Sequence, residues 1–263
     1  MIHEEPQKSD SREFDRGRSS APLRIPNRRL AITMAIVVTA LVAGLFVILA
    51  NRNSGQSNST GQIRASGLPA SISTPLANLM ALSPIPHTKA LDFTLTDQHG
   101  RSLSLTSFKG RAVVLDFMDP HCIDICPIIS QELIDAYKDL GTLSNRVVFL
   151  AVNVNRFHTS VAAIRTFTDE HSLSAIPSWH FLTGTPNMLK SIWANYGVTV
   201  VAPSPTADIV HSSYIFFINQ RGQEQYLANP TDLHTAGGKA YLPADSLTEW
   251  GRGIALVTKS ILK

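Results

Sequence analysis

The distribution of hydrophobic and polar positions predicts alternating strands and helices over most of the chain beyond residue 90. Runs rich in apolar and β-branched residues predict strands at 91–96, 101–105, 112–117, 146–154, 179–182, 213–219 and 223–227. Apolar residues at helical spacing predict helices at 128–140, 161–171, 187–196 and 247–262. Strands that alternate with helices of about 10–15 residues predict an α/β fold, in which helices cover both faces of a central mixed sheet.

One long apolar run precedes this region. Residues 30–50 contain no charged side chain, and a helix of this length crosses the hydrocarbon core of a bilayer at about 1.5 Å per residue. Seven Lys and Arg residues precede the run, whereas 51–86 contains only Arg52 and Arg64, so we expect one transmembrane helix with its N-terminus inside. The alternative is a cleaved signal peptide that ends near Ala50, although the apolar core of such a peptide usually has about 7–15 residues.

Composition divides the rest of the chain into three parts. Residues 1–29 are polar and charged, which predicts a disordered tail on the cytoplasmic side. Residues 51–86 are rich in Ser, Gly, Asn and Pro, which predicts a flexible linker, and 87–263 form the predicted folded domain. The domain holds 14 Lys and Arg against 15 Asp and Glu, so the pI near 9.0 comes from the N-terminal part. We therefore expect no nucleic-acid partner.

Both cysteines of the chain, Cys122 and Cys126, lie where a predicted strand gives way to a predicted helix. Proline is tolerated only in the first turn of a helix, so Pro127 predicts that Cys126 lies at or near the helix start. The partial positive charge of a helix N-terminus favours the thiolate. Such a pair can act as a nucleophile, a redox couple or a pair of metal ligands, and the remaining alternative is a structural disulfide, which would close a very short loop.

Two thiolates leave a metal site incomplete, so a third ligand is expected from elsewhere in the fold. Of the nine histidines, His211 is the best placed, because it directly precedes the predicted strand 213–219. His121 adjoins Cys122 and is interpreted as a source of polarity or charge beside the thiols. Asp124 is interpreted either as an exposed residue at the helix start or as a functional residue that supports the ligands or contacts a partner. We assign surface or structural roles to four further histidines: His158, His171, His180 and His234.

Three motifs resemble the Sco/SenC family. The sequence HCIDICP at 121–127 resembles the family's Cys-Pro-Asp-x-Cys-Pro signature. WHFLTG at 179–184, with the following helix up to YGV at 196–198, resembles its Trp-x-Phe-Leu-Thr-Gly segment, and VHSSY at 210–214 resembles the strand that carries its histidine. The resemblance implies a membrane-anchored, thioredoxin-like domain that binds copper through Cys122, Cys126 and His211. It also implies a role in delivering copper to cytochrome c oxidase, or in keeping the cysteines of that copper centre reduced.

Two departures from the family pattern stand out. Ile123 occupies the position where the family usually has proline, which predicts a looser loop between the cysteines. The family's Val-Asp-Pro-x-x-Asp-Thr segment corresponds to VNVNRFHT at 152–159, where asparagine replaces the acidic residue. These differences predict a divergent branch of the family.

The sequence leaves two functional hypotheses. In the first, the protein is a copper carrier and not an enzyme, its domain lies on the periplasmic or extracellular side of the cell membrane, and its partner is a copper-receiving protein such as a subunit of cytochrome c oxidase. In the second, Cys122 and Cys126 are the catalytic residues of a thiol-disulfide oxidoreductase or peroxiredoxin-like enzyme. Thioredoxin-like enzymes normally have a proline that faces the cysteines, and none lies between Ala207 and Ala228. We therefore favour copper.

Overall fold

The computed structural model describes residues 66–262. Its strands are β1 (Ser83–Pro84), β2 (Thr94–Asp97), β3 (Ser102–Ser104), β4 (Ala112–Met118), β5 (Val147–Asn153), β6 (Trp179–Thr183), β7 (Val200–Val201), β8 (Val210–His211), β9 (Ile215–Ile218), β10 (Glu224–Ala228), β11 (Leu233–His234) and β12 (Ala240–Tyr241). Its α-helices are α1 (Thr74–Leu79), α2 (Ile125–Leu140), α3 (Val161–Glu170), α4 (Pro186–Asn195) and α5 (Ala244–Ser260).

Eight strands form one mixed sheet in the order β1-β10-β9-β4-β5-β6-β2-β3. The centre is parallel, with β4 beside β5 and β5 beside β6. β9 pairs antiparallel with β4 on one side, and β2 pairs antiparallel with β6 on the other. Every residue of β4 and β5 is buried, as expected for apolar strands that are covered on both faces. The predicted α/β architecture with a central mixed sheet is confirmed.

Two hydrophobic cores lie on opposite faces of this sheet. Alternate residues of β4 separate them: Val114 and Met118 pack with α2, α3 and α5, whereas Val113, Leu115 and Phe117 pack with α4. This alternation follows from the two-residue period of a strand. The helices on both faces therefore hold β4 and the turn that follows it in a fixed position.

Close contact between α2 and α5 adds to this rigidity. A Cβ atom at Gly251 would lie 2.7 Å from Cβ of Asp135 and 3.2 Å from the backbone oxygen of Glu132. Only glycine allows the two helix backbones to approach this closely. The helix that carries Cys126 is thus packed against its neighbour without room for adjustment.

The N-terminal boundary of the domain differs from the prediction. Residues 51–65 of the predicted linker, the predicted span 30–50 and the predicted tail 1–29 lie outside the described residues. The remainder of the predicted linker instead contains α1 and β1, and Ile72, Leu76 and Met80 are buried in the core. Among residues 66–262, no helix combines the length and the apolar character that crossing a membrane requires.

Candidate metal centre

The two cysteines lie together at the turn between β4 and α2. Cys126 is in the first turn of α2, one residue before Pro127, so its predicted position at the helix start is confirmed. Cys122 is in the preceding loop, and its Sγ accepts a hydrogen bond from the backbone N–H of Cys126 over 3.3 Å. Both thiols are free. The structure therefore places two reduced sulfurs beside each other at a helix N-terminus.

The two thiols have different environments. Cys122 is half-buried, whereas Cys126, in the first turn of α2, is fully buried. A hydrogen bond from the Cys126 thiol lowers the pKa of Cys122, helped by the backbone N–H groups of Cys126 and Asp124 and opposed by burial. The same hydrogen bond, together with burial, raises the pKa of Cys126 well above its ordinary value. Cys122 is therefore the more reactive of the two thiols, and it is the one that ionises first as pH rises.

The loop before Cys122 is fixed by Asp119 and Asn155. Oδ1 of Asp119 accepts hydrogen bonds of 2.9 Å from the backbone N–H of His121 and from Nδ2 of Asn155. The backbone N–H of Cys122 donates to the backbone oxygen of Asp119 over 3.1 Å. Asp119 and Asn155 are both almost completely buried. Their buried contact positions the cysteine loop relative to the end of β5.

The segment 152–159, in which asparagine replaces the acidic residue of the family pattern, supports the cysteine loop. Oδ1 of Asn155 accepts from the backbone N–H groups of Phe157 and His158. Asn153 donates from Nδ2 to the backbone oxygen of His158 and to Oγ1 of Thr183. Sequence analysis gave these residues no function, because amide side chains in a loop carry no clear signal. Their hydrogen bonds link β5, β6 and the cysteine turn.

His211 lies on β8, which pairs with β7 in a small two-stranded hairpin outside the main sheet. Its ring lines a cleft that is also lined by Asp124 and Ile125 at the start of α2, so the histidine and the cysteine turn are on the same side of the domain. Nδ1 of His211 is 3.0 Å from the backbone oxygen of Ser212. This distance suits the tautomer with its proton on Nδ1, which leaves Nε2 as the available lone pair.

The imidazole of His211 is in a form suited to metal binding. Burial lowers the pKa of His211, opposed by the backbone oxygen of Ser212 and the charge of Asp119, so the ring is neutral at neutral pH. However, the described residues contain no group of three or more His, Cys, Asp or Glu side chains placed closely enough to hold one metal ion. The structure brings the two thiols together and places His211 across the adjacent cleft. The three-ligand site remains a prediction.

A second cleft lies on the other side of the cysteine loop. The rings of His121 and His158 stack at its edge, with centroids 3.8 Å apart, and Asp124 and Asp208 line it with Cys122. Sequence analysis assigned polarity to His121 and a surface or structural role to His158. The stacking brings together two histidines that are 37 positions apart in the sequence. It could not be predicted from the sequence, because it depends on how two loops pack against each other.

Two carboxyl groups that were not predicted from the sequence are buried behind the thiols. Asp116 on β4 and Glu132 on α2 have no exposed surface, and three of their four carboxyl oxygens have no partner among the described residues. Burial raises the pKa of Asp116 to about 8, and burial also raises the pKa of Glu132 well above its ordinary value. An aspartate inside the otherwise apolar run 112–117 was the available signal.

The SCO1/SenC family model matches residues 85–236, which is more than half of the chain. A "SCO1 protein homolog" from Bacillus subtilis is 26% identical over 133 residues, which cover 50% of this chain and 68% of the relative. A "Protein SCO2 homolog, mitochondrial" from Bos taurus is 29% identical over 180 residues, which cover 65% of this chain and 62% of the relative. The chain thus spans only part of the length of these relatives.

Solved structures show the same fold. The crystal structure of Arabidopsis thaliana ScoI with copper bound has a TM-score of 0.51 and 21% identity, and covers 64% of this chain and 98% of its own. This likeness confirms the predicted thioredoxin-like fold, and the copper is a property of the Arabidopsis protein. The family model matches across both the cysteine turn and His211. The chain therefore belongs to the SCO1/SenC family.

Proposed function

We propose that this protein binds copper and assists the assembly of the copper centre of cytochrome c oxidase or a similar cuproprotein. One observation carries the proposal: two reduced thiols are paired at a helix start, and a neutral histidine lines the cleft beside that turn. Membership of the SCO1/SenC family supports the same function. The protein would act by binding and transfer and not by catalytic turnover.

The proposed ligands are Cys122, Cys126 and His211. Two thiolates and one imidazole form a soft donor set that suits Cu(I). The lowered pKa of Cys122 makes it the first sulfur to bind, whereas the raised pKa of Cys126 means that its proton is displaced by the metal. Nε2 of His211 completes the set after a movement of the β7–β8 hairpin toward the turn. Copper affinity should therefore increase with pH as the proton of Cys126 is released more easily.

The location of the protein follows from the sequence and is part of this proposal. Residues 30–50 would anchor the chain as a single transmembrane helix with the N-terminus inside, because the basic residues precede that run. The described domain would then lie on the outer side of the cell membrane. Its partner there would be a copper-receiving protein such as a subunit of cytochrome c oxidase.

Anaerobic titration of the reduced full-length chain with Cu(I), in competition with a chelator, tests the ligand set. We expect one copper per chain, and weakening by His211→Ala that exceeds the roughly 10–100-fold produced by the loss of a residue that only supports a ligand. His234→Ala is the matched control, because His234 lines the same cleft but is not a proposed ligand. Equal affinity in the wild-type chain and in His211→Ala would refute the three-ligand site.

Thiol-disulfide exchange is the second candidate, and the unequal environments of the two thiols favour it. In this reaction the Cys122 thiolate attacks a disulfide of a substrate protein and releases one substrate thiol as a mixed disulfide forms. Cys126 then loses its proton and attacks Sγ of Cys122, so the second substrate thiol leaves and the two cysteines are oxidised to a disulfide. Multiple turnover with a dithiol reductant, unaffected by His211→Ala, would favour this candidate over copper binding.

A further inference from the structure

Several cations of the described domain pair with carboxylates, but one cluster of cations does not. Four cationic side chains line one narrow pocket, which we call the cationic notch: Lys89, Lys109, Arg111 and Arg221. No Asp or Glu lines it. Acidic residues are instead found beside the thiols, where Asp124 and Asp208 line the cleft with Cys122.

The cations of the notch have no counterion among residues 66–262. The ion pairs found there all involve other residues. Arg221 donates from Nε to the neutral Oε1 of Gln223, and Arg111 donates from Nη2 to the backbone oxygen of Val147. Nε of Arg111 is buried without a partner, and burial lowers the pKa of Arg111. A partly buried guanidinium that lacks a counterion gains stability when an anion approaches it.

Nearby carboxylates do not neutralise the notch. Asp92 is committed to hydrogen bonds from the backbone N–H and Oγ1 of Thr106. Glu224 is half-buried, and burial raises its pKa, which disfavours its charged form. The floor of the notch is apolar and is formed by Leu105, Phe108, Val113 and Ile218. The pocket has a volume of only about 30 Å³, so an anion would be held by its cationic rim and not inside it.

The notch lies at the same end of the sheet as the point where the chain enters the described domain. Arg111 directly precedes β4 and the cysteine turn directly follows it, so the two lie about 23 Å apart along a strand with about 3.3 Å per residue. At the notch end, the backbone oxygen of Gly67 accepts a hydrogen bond from Oη of Tyr226. Tyr226 and Arg221 line a common cleft. The chain therefore enters the described domain at the cationic end, opposite the thiols.

We propose that the cationic notch binds the anionic phospholipid headgroups of the membrane that anchors the chain. The inference rests on the proposed anchor and does not depend on copper binding. Residues 51–65 reach at most about 50 Å when fully extended, so the anchor keeps the notch at a high local concentration of headgroups. Headgroup binding would hold the cationic end at the bilayer and direct the thiols toward partners away from it.

Lysine footprinting of the full-length chain in lipid vesicles tests the proposal. The acetylation rates of Lys89 and Lys109 are measured by mass spectrometry in zwitterionic vesicles and in vesicles that contain anionic phospholipid. Lys239 serves as the internal reference, because it lies on the hairpin with His234 at the thiol end. Alkaline extraction establishes in the same samples that the chain is inserted. We expect slower acetylation of Lys89 and Lys109 only in anionic vesicles, with no change at Lys239.

Two variants identify the surface responsible. Arg221→Glu changes the charge of the notch by two units and should weaken headgroup binding by roughly thirtyfold, at about one kcal/mol per unit charge near an anionic surface. Lys190→Glu makes the same change on α4, outside the notch, and should leave the protection unchanged. Arg221 is exposed, and an unchanged melting temperature establishes that the variant is folded. Arg221→Gln provides a milder second variant, which should weaken binding by roughly fivefold.

Three outcomes would overturn the proposal. Equal acetylation in the two kinds of vesicle would show that the notch does not bind headgroups. Protection that survives Arg221→Glu would place the contact on another surface. Equal protection by inorganic phosphate with zwitterionic vesicles would identify a site for a soluble anion and not for the membrane. Failure of the proposed copper function would appear only in the Cu(I) titration and would leave these measurements unaffected.

Discussion

Replacing Asp116 with asparagine is expected to make the stability of the domain less sensitive to rising pH. Asp116 lies in the middle of β4 with no exposed surface. Oδ1 accepts a hydrogen bond from the backbone N–H of Phe117, whereas Oδ2 has no partner among the described residues. Burial raises the pKa of Asp116 from its ordinary value of 3.8 to about 8, because the charged form loses its hydration.

The sign and size of the effect follow from this pKa. The folded state binds more protons at this position than the unfolded state, so the free energy of unfolding falls as pH rises from 3.8 to about 8. The loss is about 1.4 kcal/mol per pH unit, or about 2.7 kcal/mol between about pH 5 and about pH 7. Asparagine keeps the acceptor for Phe117 but does not titrate, so Asp116→Asn should remove this loss.

Urea unfolding of a reduced fragment of residues 66–263, which contains both cores, measures the effect. The free energy of unfolding is compared between wild type and Asp116→Asn over about pH 5 to about pH 7. Glu132 contributes a slope of the same sign, and because the charge of Asp116 also raises the pKa of Glu132, Asp116→Asn should reduce that slope as well. Asp135→Asn is the matched control, because Asp135 is partly exposed and paired with Lys138. Parallel pH dependences for wild type and Asp116→Asn would refute the reasoning.

Three further predictions concern the site and its support. Cys122 should be alkylated by iodoacetamide faster than Cys126, and its rate should rise at a pH below the ordinary thiol pKa. Peptide mass spectrometry measures the two rates, and equal rates would contradict the different environments of the thiols. Gly251→Ala should destabilise the domain by about 1–3 kcal/mol because of its close helix contact. Gly237→Ala, whose added Cβ would lie an ordinary 3.9 Å from Oγ1 of Thr235, should change stability by no more than about 0.5 kcal/mol in the same urea assay. Asn155→Ala should cost about 1–3 kcal/mol, because the backbone N–H groups of Phe157 and His158 lose their acceptor, and it should weaken Cu(I) binding, because the contact with Asp119 that positions the cysteine loop is lost. Unchanged copper affinity would show that the loop keeps its position without this side chain.

The sequence predicted those parts of the fold that depend on local pattern. β4 and β5 are largely apolar runs, and α2 has apolar residues at helical spacing, so their positions could be predicted to within a few residues. Pro127 fixed the start of α2 closely enough to place Cys126 in its first turn. The paired thiols were therefore predictable from nine residues of sequence.

The remaining features depend on contacts between distant segments. Leu76 and Met80 lie in a segment whose Ser and Pro content is typical of a linker, and only their contact with α5 shows that they belong to the core. The hydrogen bond between Asn155 and Asp119 joins residues that are 36 positions apart. The distance from His211 to the thiols depends on two loops without regular periodicity, so neither composition nor spacing could determine it.

The separation of the β7–β8 hairpin from the main sheet has a consequence for how a bound metal leaves the protein. The sulfurs belong to the rigid junction of β4 and α2, whereas His211 belongs to an element that pairs only with itself. If Cys122, Cys126 and His211 are the ligands, as proposed, displacing the hairpin would leave a bound ion with two donors without breaking any hydrogen bond of the eight-stranded sheet. Contact of a receiving protein with this hairpin could thus trigger unloading, at a small energetic cost compared with unfolding the domain.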